Sequence, residues 1–300
     1  MRAWLRAARP LAHANVAPPI LLGQAFAFAH SGTLDPTLAA VAFGFGVLDH
    51  LTIVFANDYA DREADALAEG RTAFSGGSRV LVEGLLRPHQ LRNAAVVMGL
   101  ALLVGSAVAG WLLDRELLPV FAFVALLLLQ AYSFEPMRLS FRGFGELLQG
   151  VGVGLVLPLM GWYLQTGDLS AHTPWDVFAP LVILAFAGNI LTALPDHEGD
   201  VKADKHTWPV RRGPIRARRD ALALVGLGIG FSTQVGPVFG QEWTAILVAP
   251  PALFALLALG WMREGRPVLP FVTFAAGAIT VLHLSWSAAL FLGDPSLRGA

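Results

Sequence analysis

The sequence has 300 residues, of which 55% are hydrophobic and 14% are charged, and its mean hydropathy is +0.58. Because an average soluble domain has about 25% charged residues, this composition indicates an integral membrane protein. A formal net charge of −1 gives no general basicity for binding nucleic acid, and the lack of any cysteine excludes disulfides, thiolate metal sites and cysteine nucleophiles.

Apolar windows follow one another along the chain, each near the roughly 20 residues that a spanning helix needs. We place nine of them, at residues 11–30, 37–57, 93–113, 117–134, 144–165, 176–195, 220–239, 242–261 and 268–292. The first follows three arginines, as a signal peptide would, but His13, Asn15 and Pro18 interrupt its apolar run, so we interpret it as a helix of the mature protein. The windows predict an all-α fold with nine transmembrane helices in one bundle.

The cations indicate how these helices are oriented. With nine spans, all but two of the 21 Lys and Arg residues fall at the N-terminus and in the even-numbered connections, and the exceptions are Arg115 and Arg298. The positive-inside rule then predicts a cytoplasmic N-terminus and a C-terminus outside, in what we expect to be a bacterial inner membrane.

The second window ends in a group of carboxylates, in the stretch FANDYADREAD at residues 55–65. If the helix continues, Asp58, Asp61 and Asp65 at positions i, i+3 and i+7 lie on one stripe with Asn57 beside it. Three carboxylates facing one way repel each other unless a cation lies among them. Oxygen ligands of this kind suit Mg²⁺, which typically binds a few carboxylates together with the phosphates of a substrate.

The sixth window ends in a similar way, in LTALPDHEGDVKADK. It brings Asp196 and Asp200 at i and i+4, with Glu198 and Asp204 close by. Both acidic segments follow an apolar helix, and both fall on the predicted cytoplasmic face. We therefore expect two groups of carboxylates on opposite sides of one site that binds a metal ion and a diphosphate.

The cytoplasmic connections, near 58–92, 134–143 and 196–219, are longer than topology requires, so we expect them to form caps over the site. Topology explains most of their cations, with two exceptions: Arg79 in a glycine-rich turn, and Lys205 five residues after Asp200. The middle connection begins near Tyr132, and it carries Arg138 and Arg142 near the same cytoplasmic face of the membrane.

Several of these residues also have a structural interpretation. A single acid at the end of a membrane helix is commonly a solvated flanking residue, and only the matched spacing in two places favours a site. Asp49 and His50 lie two turns before Asn57, and burying such side chains in a membrane costs free energy, so they usually have a function. A hydrogen-bonded pair buried between helices would satisfy them equally well. Asn189 is more typical of an interhelical hydrogen bond than of a ligand.

Taken together, the motifs resemble the UbiA superfamily of intramembrane prenyltransferases. The resemblance rests on N-D-x-x-D-x-x-x-D at Asn57 to Asp65 and on D-x-x-x-D at Asp196 and Asp200. Further similar segments cover most of residues 9–213, and they are RPLAHANVAPPILLG, FSGGSRVLVEGLL, YSFEPMRLSFRGFGE and PDHEGDVKADKHTWPVRRG. One departure is Asp204 before Lys205, where relatives commonly have Gly-Lys.

The resemblance implies one domain over residues 1–300, with nine helices around a central cavity. It implies Mg²⁺-dependent transfer of a polyprenyl group from its diphosphate to an aromatic acceptor. The glycine-rich segment and the P-D-x-E-x-D form are nearer the 1,4-dihydroxy-2-naphthoate branch, which makes menaquinone precursors, than the 4-hydroxybenzoate branch.

The chemistry of that reaction gives each residue a predicted role. Metal ligands would be Asn57, Asp58, Asp61, Asp196 and Asp200, with Asp65 coordinating through water. Arg79 and Lys205 would bind the diphosphate. The candidates for the acceptor side are Tyr132, Arg138 and Arg142, although the two arginines suit the diphosphate equally well.

Other functions remain open from the sequence alone. Within the same superfamily, the acceptor is 4-hydroxybenzoate or homogentisate in some enzymes, and a terpene cyclase uses the same ionisation with no external acceptor. A cation-coupled transporter also places acids among helices, but nearer mid-membrane than most of the acids here. A CDP-alcohol phosphotransferase would carry D-G-x-x-A-R, which is absent.

Overall fold

The computed structural model describes residues 1–67, 77–170, 173–235 and 241–293, and these residues form helices and connections without a β-strand. The predicted positions Arg298 and Gly76 lie outside the described residues. The helices are α1 Arg2–Ala7, α2 Ala17–Ser31, α3 Pro36–Ala60, α4 Arg62–Leu67, α5 Pro88–Leu112, α6 Leu118–Ser133, α7 Gly145–Val151, α8 Leu157–Thr166, α9 Trp175–Ala193, α10 His197–Lys202, α11 Trp208–Arg212, α12 Pro214–Val235, α13 Gln241–Leu259 and α14 Val268–Leu292. A 3₁₀ turn, Pro10–Asn15, precedes α2, and a π-helix, Gly152–Val156, joins α7 to α8.

Five stretches of helix are long and apolar enough to cross a membrane. They are α3, α5, the run from α7 to α8, α9 and α14, and two shorter apolar helices lie at Leu118–Ser133 and Leu247–Leu259. Every predicted window overlaps a helix or a run of helices, which confirms an all-helical membrane protein. The number of crossings and the orientation of the termini stay predictions.

Local chemistry explains several helix boundaries. The Asp35 side chain caps α3 by accepting hydrogen bonds from the backbone N–H groups of Thr37 and Leu38, at 2.7 and 3.1 Å. Pro36 follows at the first helical position, where its missing N–H costs nothing. The helix in the first predicted window is shorter than expected. The 3₁₀ turn occupies the start of that window, and α2 has 15 residues.

Close helix contacts surround a central cavity. Helix α2 packs on α8, where a Cβ atom on Gly161 would lie 2.5 Å from the backbone oxygen of Ile20, so only glycine permits this approach. The outer face of α5 carries Val96, Leu100 and Val104, which are all exposed at a spacing of one helical turn. An exposed apolar stripe of this kind is typical of a lipid-facing helix.

Ordered segments cover one end of the bundle. Helices α4, α10 and α11 lie in the connections that we predicted to form caps, and α4 contacts α10. The Arg6 guanidinium of α1 donates a hydrogen bond to the backbone oxygen of Ser78 at 2.9 Å and forms two bonds to Glu83, at 2.6 and 2.5 Å. The N-terminal helix therefore holds the segment that follows the first acidic motif.

Candidate active site

A cavity of about 1300 Å³ runs into the bundle between α2, α3, α6, α9 and α14. Its walls are largely apolar, and Leu128, Val156 and Leu184 are typical of them. Polar side chains gather where α3, α6 and α9 end, and this polar end of the cavity is formed by Asn57, Asp61, Tyr132, Asn189 and Lys205. An apolar chamber with a polar end suits a lipid with a charged head group.

The first acidic segment lies at the C-terminal end of α3. The Asn57 amide oxygen lines the cavity and accepts a hydrogen bond from the Ser133 hydroxyl at 2.5 Å. Asp58 is only 3% exposed and does not line the cavity, but it lies 3.4 Å from Arg9, which does. Its carboxylate also accepts hydrogen bonds from the Ser78 hydroxyl and, at 3.1 Å, from the Ser78 backbone N–H.

The helix that carries the three acids of this segment is not continuous, which corrects the expectation of an unbroken helix. Helix α3 ends at Ala60, and α4 begins at Arg62 after a break at Asp61. The break turns Asp61 into the cavity while Asp65 packs against Gly77, on which any Cβ would clash with the carboxylate.

The second acidic segment surrounds α10. Asp196 precedes the helix, and Asp200 within it is buried and accepts a hydrogen bond from the Thr207 hydroxyl at 2.9 Å. Asp204, the departure from the family pattern, faces solvent with its side chain 94% exposed. Its backbone has a left-handed φ of 54°, which glycine adopts without strain and which explains why a glycine suits this position.

The two acidic segments meet at the polar end of the cavity. The Lys205 ammonium lies 3.1 Å from the Asp61 carboxylate, although 144 positions separate these residues in the sequence. Burial, together with the charges of Asp61 and Asp58, raises the pKa of Asp65 to about 7. Asp196 across the site adds to this effect.

Asp200 and Lys205 feel the same electrostatic field. Burial, and next the charge of Asp196, raises the pKa of Asp200 to about 6, although the ammonium of Lys205 opposes the shift. Burial lowers the pKa of Lys205, but the carboxylates of Asp61 and Asp200 overcome this effect and leave the pKa above the usual value of lysine. Asp61 and Asp200, from the two acidic segments, therefore both act on the ammonium of Lys205.

These residues fit a magnesium ion bound together with a phosphate. The Asp61 Oδ1 atom is buried and has no hydrogen-bond partner among the described residues, so one hard oxygen ligand is available. Within the same described ranges, no three His, Asp or Glu side chains are grouped closely enough to hold an ion by themselves. Mg²⁺ does not need such a cage, because it typically binds one or two carboxylates, several waters and substrate phosphates.

Three of the predicted cations lie away from the cavity wall. The Arg79 side chain donates a hydrogen bond to the backbone oxygen of Asp65 at 3.0 Å. The Arg138 guanidinium stacks 3.5 Å from the centre of the Phe141 ring, and Arg142 donates to the backbone oxygen of Pro136 at 2.7 Å. Their substrate-binding roles stay predictions.

Other residues at the site were not singled out from the sequence. Arg9 and Ser78 bind Asp58, and their signal was their place in segments that resemble the family. Gln149 accepts a hydrogen bond at 2.7 Å from the amide of Asn189, which in turn donates to the Tyr132 hydroxyl at 3.4 Å. Asn189 is thus both an interhelical hydrogen-bonding residue and part of the cavity wall.

Comparisons with known proteins agree with this architecture. Residues 16–282 match the model of the UbiA prenyltransferase family. The chain is 28% identical to a 1,4-dihydroxy-2-naphthoate octaprenyltransferase of Mycobacterium leprae, over 88% of this chain and 86% of that protein. A protein of the same name from Haemophilus influenzae is 26% identical, with 94% of each chain covered.

Among solved structures, a UbiA homologue from Archaeoglobus fulgidus bound to GPP and Mg²⁺ has a similar fold. Its TM-score is 0.70 at 20% sequence identity, covering 97% of this chain and 99% of that one. The family match spans most of the sequence and confirms the resemblance that the two acidic motifs carried. The chain belongs to the UbiA prenyltransferase family.

Proposed function

We propose that this protein transfers a polyprenyl group from its diphosphate to 1,4-dihydroxy-2-naphthoate, with Mg²⁺ as cofactor, at the cytoplasmic face of the membrane. One observation carries the proposal: Asp61 and Lys205, from two distant acidic segments, meet at the polar end of a single apolar cavity. The choice of acceptor is supported by the relatives from Mycobacterium leprae and Haemophilus influenzae, and the choice of metal by the ligands of the Archaeoglobus fulgidus homologue.

The carboxylates would hold the metal where the diphosphate arrives. Asp61 offers its unpaired oxygen, Asn57 adds a neutral amide oxygen already oriented by Ser133, and Asp196 and Asp200 approach from the second segment. Asp58 would complete the proposed ligand set once it leaves Ser78 and Arg9, and Asp65 would do so through water. When bound, Mg²⁺ supplies Lewis-acid stabilisation for the charge that develops on the leaving diphosphate.

Two cations of the chain are placed to bind the diphosphate directly. Lys205 and Arg9 now lie against Asp61 and Asp58, at 3.1 and 3.4 Å. If these carboxylates hold the metal, both side chains would be free to donate hydrogen bonds to phosphate oxygens, and such bonds are strong because both partners are charged.

The rest of the cavity protects the reactive intermediate. Ionisation of the prenyl diphosphate leaves an allylic cation, which water would capture if it reached the site. The apolar walls exclude water, and an electron-rich carbon of the acceptor attacks the cation instead. The ring becomes aromatic again when that carbon loses the group it carried, as a proton or as carbon dioxide. Tyr132, held by Asn189 at the boundary between the polar and apolar parts, is our candidate for positioning the acceptor.

An assay of the purified protein in detergent tests this function. The protein is mixed with geranyl diphosphate or a longer prenyl diphosphate and with 1,4-dihydroxy-2-naphthoate, 4-hydroxybenzoate or homogentisate. We expect prenylated naphthoate and released diphosphate that both disappear with EDTA and return with Mg²⁺. Transfer to another acceptor alone would overturn the proposed substrate, and diphosphate release with a cyclised terpene product would overturn the transferase.

A further inference from the structure

Asp49 is a carboxylate in the wall of the cavity that the proposed reaction does not yet use. Asp49 is 4% exposed, and it lines the cavity on the same stripe of α3 as Ile53 and Asn57. Among the described residues its carboxylate has no hydrogen-bond or ion-pair partner. A buried carboxylate without a partner is destabilising, and in membrane proteins such groups mark functional positions.

Three other polar side chains in the cavity wall are satisfied by the protein itself. His50 lies 2.8 Å from the backbone oxygen of Ala8, Thr280 donates to its own helix at 3.3 Å, and His283 contacts the backbone oxygen of Ile279 at 2.8 Å. Asp49 differs from these three residues, since it has no such bond among the described residues and its partner would have to come from the cavity. Of the two interpretations that the sequence left open, the hydrogen-bonded pair of Asp49 and His50 is not formed among the described residues, and His50 is bonded to the backbone oxygen of Ala8 instead.

The position of Asp49 limits what that partner is. It lies eight residues before Asn57 on a continuous helix, which places it about 12 Å deeper in the bundle. The diphosphate belongs at the level of Asn57 and Asp61, and a prenyl chain has no hydrogen-bonding group to offer. The space between the two levels suits an aromatic ring whose reacting carbon faces the diphosphate and whose hydroxyl group faces Asp49.

We propose that Asp49 determines acceptor specificity by accepting a hydrogen bond from a ring hydroxyl of the acceptor, remote from the carbon that is prenylated. This inference rests on the proposed function and deepens it. A carboxylate that accepts from a hydroxyl favours a dihydroxylated ring over one that lacks this hydroxyl, since the second ring leaves the carboxylate unpaired.

Equilibrium binding separates this role from a structural one. Calorimetry under anaerobic conditions, which protect the diol from oxidation, compares 1,4-dihydroxy-2-naphthoate with 1-hydroxy-2-naphthoate. We expect the unmodified protein to bind the dihydroxy compound about 10- to 100-fold more tightly, the range expected for a hydrogen bond to a charged group. Asp49→Leu should weaken binding of the dihydroxy compound alone and so remove the preference, and Asp49→Asn should keep part of it through its amide oxygen.

Thr280→Val is the matched control, because it removes a polar cavity-wall group that is already bonded to its own helix. It should keep the preference for the dihydroxy compound. Thermal unfolding in detergent should show both Asp49 variants at least as stable as the unmodified protein, and if Asp49→Leu does not fold, Asp49→Asn still provides the comparison.

Three results would overturn the assignment of Asp49: no preference in the unmodified protein, a full preference in Asp49→Leu or Asp49→Asn, or equal weakening of both compounds by the substitution. If an Asp49 variant kept the normal preference for the dihydroxy compound but no longer responded to an added cation, the carboxylate would be assigned to binding an ion. That result would also overturn the proposal. If the unmodified protein prenylates no aromatic compound, the proposed function itself fails, whereas prenylation that is indifferent to Asp49 rejects only this inference.

Discussion

Asp58 and Asp200 are both buried carboxylates of the acidic segments, but their partners come from different parts of the chain. Asp58 binds Arg9, which lies 49 positions earlier, and Ser78, which lies 20 positions later. Asp200 accepts its hydrogen bond from Thr207, seven positions away on the same connection, and its backbone oxygen accepts from the N–H of Lys205. The first segment is thus satisfied by tertiary contacts and the second largely by its own loop.

This difference makes the N-terminus a part of the site. Arg6 and Arg9 lie within four residues of each other, and both bind elements of the first acidic segment or the turn that follows it. The Asp200 carboxylate differs, because among the described residues its hydrogen bond comes from Thr207 on the same connection. Substitutions of the residues that bind Asp58 and of the residue that binds Asp200 should therefore change activity and stability by different amounts.

The largest effect should come from Asp61, where the two segments meet. Asp61→Asn removes a carboxylate oxygen that we assign to the metal and leaves the buried Lys205 without its closest anion. Loss of one electrostatic contact to a transition state typically costs about 10²–10³ in turnover, and we expect a decrease of this size in the rate of diphosphate release. The control is Asp204→Asn, one residue from Lys205 but exposed to solvent, which should retain turnover; an active Asp61→Asn would contradict the metal role.

Arg9 should come next, because its loss affects only the first segment. Arg9→Gln leaves Asp58 buried without its cation, which should lower the free energy of unfolding by about 1–3 kcal/mol. We also expect about tenfold weaker binding of prenyl diphosphate, since a charged contact to phosphate is lost. Thermal unfolding and the KM for prenyl diphosphate measure the two effects.

Arg2→Gln is the matched control for Arg9, as it removes an exposed arginine from α1, the helix that precedes Arg9. It should change neither quantity. Equal effects of the two substitutions would mean that the N-terminal arginines act only through topology.

Thr207 should show a smaller effect, confined to the second segment. Thr207→Val removes the hydroxyl that donates to Asp200 and should cost about 0.5–1.5 kcal/mol, the usual value of one hydrogen bond. Thr207→Ser keeps the donor and should restore stability in the same thermal-unfolding measurement. If Thr207→Val lowered the stability as much as Arg9→Gln does, the proposed difference between the two acidic segments would be wrong.

The sequence was sufficient to predict the helices and the two acidic segments. Apolar windows are visible because a membrane requires about 20 apolar residues in a row. Carboxylates such as Asp61 and Asp200 stand out because the chain is otherwise poor in charge. Both signals are local, so no knowledge of the tertiary structure was needed.

The partners of the carboxylates could not be predicted in this way. Arg9 satisfies the positive-inside rule whether or not it touches a carboxylate, so composition gave no reason to separate it from Arg2 or Arg6. The break between α3 and α4 at Asp61 was also missed, since the spacing of the acids suits an unbroken helix equally well. Both features depend on contacts between segments that lie far apart in the sequence.

Arg142 should give the smallest effect and tests the limit of the sequence-based assignment. From the sequence this residue is a candidate for the acceptor side or the diphosphate, but its exposed side chain binds the backbone oxygen of Pro136 and lies 3.6 Å from Glu135. An exposed ion pair of this kind contributes little to stability. We therefore expect Arg142→Gln to change the KM for the aromatic acceptor by less than about twofold, well below the effect of Asp49→Leu on acceptor binding. A tenfold rise in that KM would instead show that the connection at 134–143 rearranges around the acceptor, because Arg142 reaches the cavity only if it leaves its present partners.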